Sequence, residues 1–303
     1  MKTYQRLFLF LLASLAITVL LSPWLAVSWD RFVSTRPDWE PYRYPFSRIF
    51  DRCFLITSIL LFFPCRRFLK IGSASQIGLA PRTHAARDLA LGFCCAVASM
   101  ALLLALMSFR GAYTPFFRLG FADSMSRIAN GILSGFSVAL LEETFFRGIF
   151  FKAIFEQGKR VRAFLVANFF YAAVHFVKPE NNFQLYGYDP WGGLRYLVAS
   201  FKPFLNLPEV FPGLIGLFLI GLVLSYAVVR GNTLFLAMGL HAGWVFSIKT
   251  VRVFGDYTRQ GLGWMFGSTD PKIVSGVISW VGILSVAIAV HVLTRRRAQK
   301  AET

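Results

Sequence analysis

Residues 129–154 read ANGILSGFSVALLEETFFRGIFFKAI. The stretch is long enough to cross a bilayer, which takes about 20 apolar residues of helix. It nevertheless carries Glu142, Glu143 and Arg147. Ionisable groups at membrane depth are costly and as a rule mark function. On a helix, Glu143 and Arg147 lie four residues apart on one face and can form an ion pair. Glu142 is turned about 100° away. Burial disfavours a charged carboxylate, whereas a neighbouring Arg favours it. A Glu balanced between these effects is suited to take a proton from water.

The surrounding chain supports a membrane setting. Of its 303 residues, 56% are hydrophobic, 17% aromatic and only 16% charged, against about 25% charged in soluble domains. Seven further segments qualify as spans: Leu7–Val27, Phe46–Pro64, Leu89–Phe109, Arg162–Val177, Phe211–Val229, Thr233–Phe254 and Ile273–Leu293. Arg48, Asp51 and Arg52 crowd the first turns of the second segment, and 162–177 is short. The expectation is an all-α, polytopic helical membrane protein with about eight transmembrane helices. Lys2, Arg6 and the sequence Ala26-Val27-Ser28 give the first span some look of a secretory signal. Its apolar run exceeds the roughly 7–15 residues of a signal core, so an uncleaved anchor is expected.

The net charge is +17, from 32 Lys+Arg against 15 Asp+Glu. The basic residues fall in short clusters between apolar runs, which is a topology pattern and not a nucleic-acid footprint. Placing Lys2 and Arg6 inside puts five clusters on the cytoplasmic face. They begin with Lys2 and Arg6 themselves. Next come Arg66, Arg67, Lys70, Arg82 and Arg87, then Lys159, Arg160 and Arg162. Arg230 and the tail Arg295, Arg296, Arg297 and Lys300 complete the set. Asp30, Asp38, Glu40, Asp51, Asp123, Glu180, Asp189, Glu209, Asp256 and Asp270 fall on the other face. Both termini therefore read as cytoplasmic in a bacterial inner membrane. Cys53, Cys65, Cys94 and Cys95 lie in or beside apolar runs without a ligand spacing and read as small apolar residues. The longest connection, 178–210, holds Tyr186, Tyr188, Trp191 and Tyr196. It is expected to lie in the outer headgroup layer, or to be a plain surface loop.

Two histidines fall at a depth matching Glu142. His175 is about as far into its span as Glu142 is into its own, and His241 lies about nine residues into the seventh. At ~1.5 Å per residue, all three sit within a few ångströms of mid-membrane. Asn168, Tyr171 and His175 share a helix face. A Glu–Arg pair can merely staple helices, and a buried His can merely bond a backbone. Five such groups at one depth favour a polar site. His84 and His291 read as incidental.

These residues resemble the CPBP family of CAAX-prenyl-protease and bacteriocin-processing intramembrane proteases, also called Abi. Glu142, Glu143 and Arg147 match its Glu-Glu-Xaa-Xaa-Xaa-Arg motif. Tyr171 to His175 matches Phe-Xaa-Xaa-Xaa-His, with Tyr in place of Phe. His241 matches the final motif, with Val245 where the family has Asn or Asp. The chain would then divide into N-terminal helices at 1–128, a catalytic core at 129–254, and a last helix with a basic tail at 255–303. The resemblance implies peptide-bond hydrolysis in the membrane. Glu142 and His175 would activate water, Glu143 and Arg147 would position Glu142, and His241 would steady the oxyanion. A lost oxyanion donor costs roughly 10²–10³ in rate. Val245 thus implies a compensating donor, slower chemistry or altered geometry.

No His-Glu-Xaa-Xaa-His zinc signature is present, and a metal-free site is favoured. The alternative is zinc on Glu142, His175 and His241. The expected partners are the lipid bilayer and a membrane-embedded peptide or protein, with leader or sorting-tail processing favoured. Two other readings stand: a catalytically impaired scaffold or immunity protein, and a transporter. The transporter reading is weakened by the lack of repeat halves.

Overall fold

The computed structural model describes residues 3–80, 83–177, 183–185, 187–258, 261–267 and 273–302. The sequence readings at Lys2, Arg82, Glu180, Tyr186 and Asp270 lie outside these residues. Among the described residues, eleven α-helical segments open with α1 (Thr3–Ser34), α2 (Phe46–Cys65), α3 (Ala85–Phe109) and α4 (Phe121–Glu143). A π-helical stretch, Thr144–Phe151, runs on from α4 into α5 (Lys152–Phe155). Then come α6 (Arg160–Val174), α7 (Gly192–Ala199), α8 (Leu207–Gly231), α9 (Phe235–Thr250), α10 (Gly263–Phe266) and α11 (Val277–Glu302). Among the described residues, the molecule is all-α apart from a short antiparallel ladder. There β1 (Tyr113–Pro115) pairs with β2 (Gly255–Tyr257), Tyr113 opposite Tyr257.

Among the described residues, four helices are long and apolar enough to cross a membrane: Tyr4–Ser34, Ala85–Phe109, Leu207–Gly231 and Val277–Arg295. The other expected spans fall short for visible reasons. The α2 helix carries Arg48, Asp51 and Arg52, and α4 carries Asp123, Arg127 and the Glu pair. The α6 and α9 helices have only 15 and 16 residues.

The chain forms two compact units, one of residues 1–72 and 173–210, the other of 73–172 and 211–303. In the first, α1 packs on α2 and α7. Gly193 sits so close to the Val19 carbonyl that a side chain there would collide with it. Phe46, Phe50 and Tyr196 form an aromatic cluster, with Phe50 and Tyr196 ring centroids 4.6 Å apart. Tyr196 is thus buried in this unit's core. The neighbouring Trp191 and Val198 are exposed.

In the second unit, α9 lies between α3 and α4 and is buried on every side from Leu236 to Trp244. Small residues allow this, as is usual where helices pack in lipid. A Cβ on Gly92 would strike the Leu236 carbonyl, one on Gly239 the Leu89 carbonyl, and one on Gly135 would lie 2.7 Å from the Ala242 carbonyl. The α8 helix stops at Gly231 because Asn232 turns left-handed, with φ of 53°. Asn is among the residues that tolerate this best. The turn delivers Leu234, whose N–H bonds the Gly78 carbonyl at 3.0 Å.

Candidate active site

The second unit gathers the ionisable residues of α4, the π-helical stretch and α9 into one cluster. Glu143 is fully buried and Arg147 nearly so. Arg147 Nη1 donates to Glu143 Oε1 at 3.0 Å. The same oxygen accepts His241 Nδ1 at 2.7 Å. On the other side of the imidazole, His241 Nε2 lies 3.8 Å from Glu142 Oε2. His241 thus stands between the two carboxylates that the sequence places side by side. Glu142 is 30% exposed, against 0% for Glu143, so one carboxylate of the pair can reach solvent or substrate and the other cannot.

Each element has a local reason to hold its residue there. In the π-helical stretch the Lys152 N–H reaches back five residues to the Arg147 carbonyl. Such widened turns recur at functional sites. Gly148 lies in this stretch, where a Cβ would come within 2.7 Å of the Ile77 carbonyl. The widened turn carries Arg147 to α8, where Nη2 meets the Gly221 carbonyl at 3.4 Å. Across from Arg147, the buried Tyr171 of α6 offers its ring face to the guanidinium, 4.1 Å from the centroid. The same ring stands edge-on to His241, with centroids 6.3 Å apart. One turn earlier on α6, Asn168 accepts a bond from Ser225 Oγ at 2.9 Å, joining α6 to α8.

The shared bond to Glu143 has a chemical consequence. It makes Nδ1 a donor and orients the ring, so Nε2 is the atom left for chemistry. With a neutral ring Nε2 is an acceptor or a metal ligand. With an imidazolium it is a second donor.

His175 is placed differently from the expectation. The α6 helix ends at Val174, and His175 lies in the turn just beyond it, half-buried. The helix closes there because the Phe176 and Val177 N–H groups bond three residues back, to Ala173 and Val174. His175 belongs to the first compact unit. Val245 stands one turn beyond His241 on α9 and is half-buried. Among the described residues, no three His, Cys, Asp or Glu side chains form a metal-binding group.

Residues 124–247 match the family model of Rce1-like type II CAAX prenyl endopeptidases. This stretch is similar to an Rce1-like domain. It encloses Glu142, Glu143, Arg147, Tyr171, His175 and His241, and it points to proteolysis of the CAAX type at a membrane. No curated protein and no solved structure matches the chain. Sequence reasoning found the ionisable members of the cluster. It missed the π-helical stretch, the Gly221 carbonyl and the Tyr171–Arg147 stacking. The one available signal for the last was Tyr171 falling on a polar face of α6.

Proposed function

We propose that the protein is an intramembrane endopeptidase in which Glu142 activates water against a peptide bond of a membrane-associated substrate. The observation that carries this reading is the position of His241, bonded to a fully buried Glu143 and facing a partly exposed Glu142. Glu142 takes a proton from water as the oxygen attacks the scissile carbonyl carbon. His241, as an imidazolium, holds one N–H on Glu143 and offers Nε2–H to the oxyanion. Collapse of the intermediate breaks the C–N bond, and the proton held by Glu142 passes to the leaving amine. Arg147 pairs with Glu143 and fixes it, so that His241 stays oriented. His175 is the second member of the water-activating pair on the strength of its motif spacing.

The favoured route is metal-free. The alternative cofactor is zinc. A His that gives Nδ1–H to a carboxylate is a common arrangement behind a metal ligand. His241 Nε2, Glu142 and His175 would then be the donors, and the metal would supply Lewis acidity to the bound water. The bilayer is the medium, with both termini on the cytoplasmic side. A leader peptide or sorting tail is the proposed substrate.

Glu142→Gln and Glu142→Ala, followed by cleavage of candidate membrane substrates in cells, test this reading. Loss of roughly 10²-fold or more is expected for removal of a general base. Unchanged processing in both variants would end the protease reading. Metal analysis of the active purified protein separates the two routes: stoichiometric zinc would replace the metal-free one.

A further inference from the structure

Two of the helices able to cross a membrane end together: the spans run to Gly231 in α8 and to Arg295 in α11. Both helices belong to the second unit. Two polar bonds tie their last turns to each other. Tyr226 Oη and His291 Nδ1 are 2.6 Å apart, and one turn further on Arg230 Nε donates to Thr294 Oγ1 at 3.0 Å. The helices thus run parallel here, and Arg230 and Arg295 reach the same membrane boundary. Thr294 is buried, and its own hydroxyl proton goes to the Val290 carbonyl at 2.7 Å. Its oxygen is therefore a fixed acceptor that holds the Arg230 guanidinium by one edge. Nη1 and Nη2 of Arg230 meet no acceptor among the described residues, and neither Arg230 nor Arg295 is in an ion pair among them. His291 and Arg295 are exposed. With Tyr226 donating to Nδ1, the neutral imidazole keeps its proton on Nε2, a further donor on the same seam. On the bilayer side of these groups the seam is apolar. Leu222 lies one turn before Tyr226 on α8, and the exposed Leu284 and Ile288 precede His291 on its face of α11.

We propose that this seam binds the phosphodiester of an anionic glycerophospholipid. Arg230 and Arg295 take the phosphate oxygens, His291 is a third donor, and an acyl chain lies along Leu222, Leu284 and Ile288. Arginine suits the task because its planar fork can meet two phosphate oxygens at once. Basic pockets between spans at a membrane boundary are where anionic headgroups dock. The site favours a net negative lipid over a zwitterionic one. A choline or ethanolamine headgroup would bring a cation beside two arginines that no carboxylate accompanies. An acidic peptide or a nucleic acid could meet the charges but would leave the apolar stripe on the bilayer side uncovered. The site shares no residue with the cluster of Glu142, Glu143 and His241 and does not depend on the protease reading. His291, incidental in the sequence, gains a role only because α8 sets Tyr226 against it.

The test is lipid titration of the purified full-length protein in a neutral detergent, read by native mass spectrometry as the Kd of the first lipid bound. Palmitoyl-oleoyl phosphatidylglycerol is expected to bind about tenfold or more tighter than phosphatidylcholine with the same chains. Arg230→Gln and Arg295→Gln are each expected to weaken phosphatidylglycerol about fivefold, the effect of one cation beside an anionic headgroup. Thr294→Val keeps every charge but releases the guanidinium, and is expected to cost about threefold, which a diffuse basic surface would not register. Arg160→Gln, exposed in a different basic cluster, is the control and should change the Kd less than about twofold. Equal affinity for the two lipids, an unchanged Kd in any of the three seam variants, or an Arg160→Gln effect as large as that of Arg295→Gln would overturn the site. So would release of the lipid by inorganic phosphate beyond that caused by sodium chloride at equal ionic strength, which would mark a site for the free anion. Arg295 is exposed, so its variant decides the matter even where Thr294→Val melts below the parent.

Discussion

Replacing Glu143 and Arg147 singly and together probes the centre of the cluster. Glu143 is 0% exposed and Arg147 1%, and Glu143 Oε1 carries bonds to both Arg147 and His241. Glu143→Gln keeps the shape but leaves Arg147 as a buried charge without a counterion. Arg147→Met leaves the carboxylate with His241 alone. Removing one partner of a buried pair costs about 3–5 kcal/mol, whereas removing both together is often near neutral. Independent effects would sum to about 6–10 kcal/mol in the double variant. The expectation is that the double variant loses no more than either single one, a coupling of about 3 kcal/mol or more. Reversible SDS-induced unfolding of the purified protein in mixed micelles measures all four forms. Additivity within roughly 0.5 kcal/mol would refute the reasoning, because it would mean the two side chains do not act as a unit. Cleavage should stay lost in the double variant even where stability recovers, since His241 then lacks the charge that orients it.

Two further outcomes follow from the packing. Tyr171→Phe keeps the ring over Arg147 and should leave cleavage within about threefold, whereas Tyr171→Ala should cost about 3–5 kcal/mol in the same unfolding assay. Gly239→Leu should prevent the close approach of α9 to α3 and destabilise the protein by more than the roughly 1–3 kcal/mol of ordinary overpacking, because the clash is with the Leu89 backbone; a variant as stable as the parent would show that this contact is not tight.

The helical segments and the candidate site were legible in the sequence for one reason. Glu142, Glu143, Arg147 and His241 interrupt runs that are otherwise apolar, and such interruptions stand out against the cost of burying charge. What was not legible depends on packing at a distance. The π-helical stretch 144–151 has no compositional signature, since its widened turn goes with close contacts to Ile77 and α8. The β1–β2 ladder has three residues a side, too few for alternation to show. The end of α6 at Val174 was missed because Phe176 and Val177 extend the apolar run past the last helical hydrogen bond. The helical periodicity of α4 gave the Glu143–Arg147 spacing. It could not show that Glu143, the carboxylate turned away from Glu142, also holds His241.

That double engagement of Glu143 shapes where a proton can travel. Of the two carboxylates facing His241, only Glu142 has any opening to the outside; Glu143 is sealed and already clamped between Arg147 and the imidazole. Under the proposed chemistry, a proton lifted from water at Glu142 leaves by the side on which it arrived, toward the newly formed amine. The burial of Glu143 thus leaves Glu142 as the carboxylate of the pair through which the cluster exchanges protons with its surroundings.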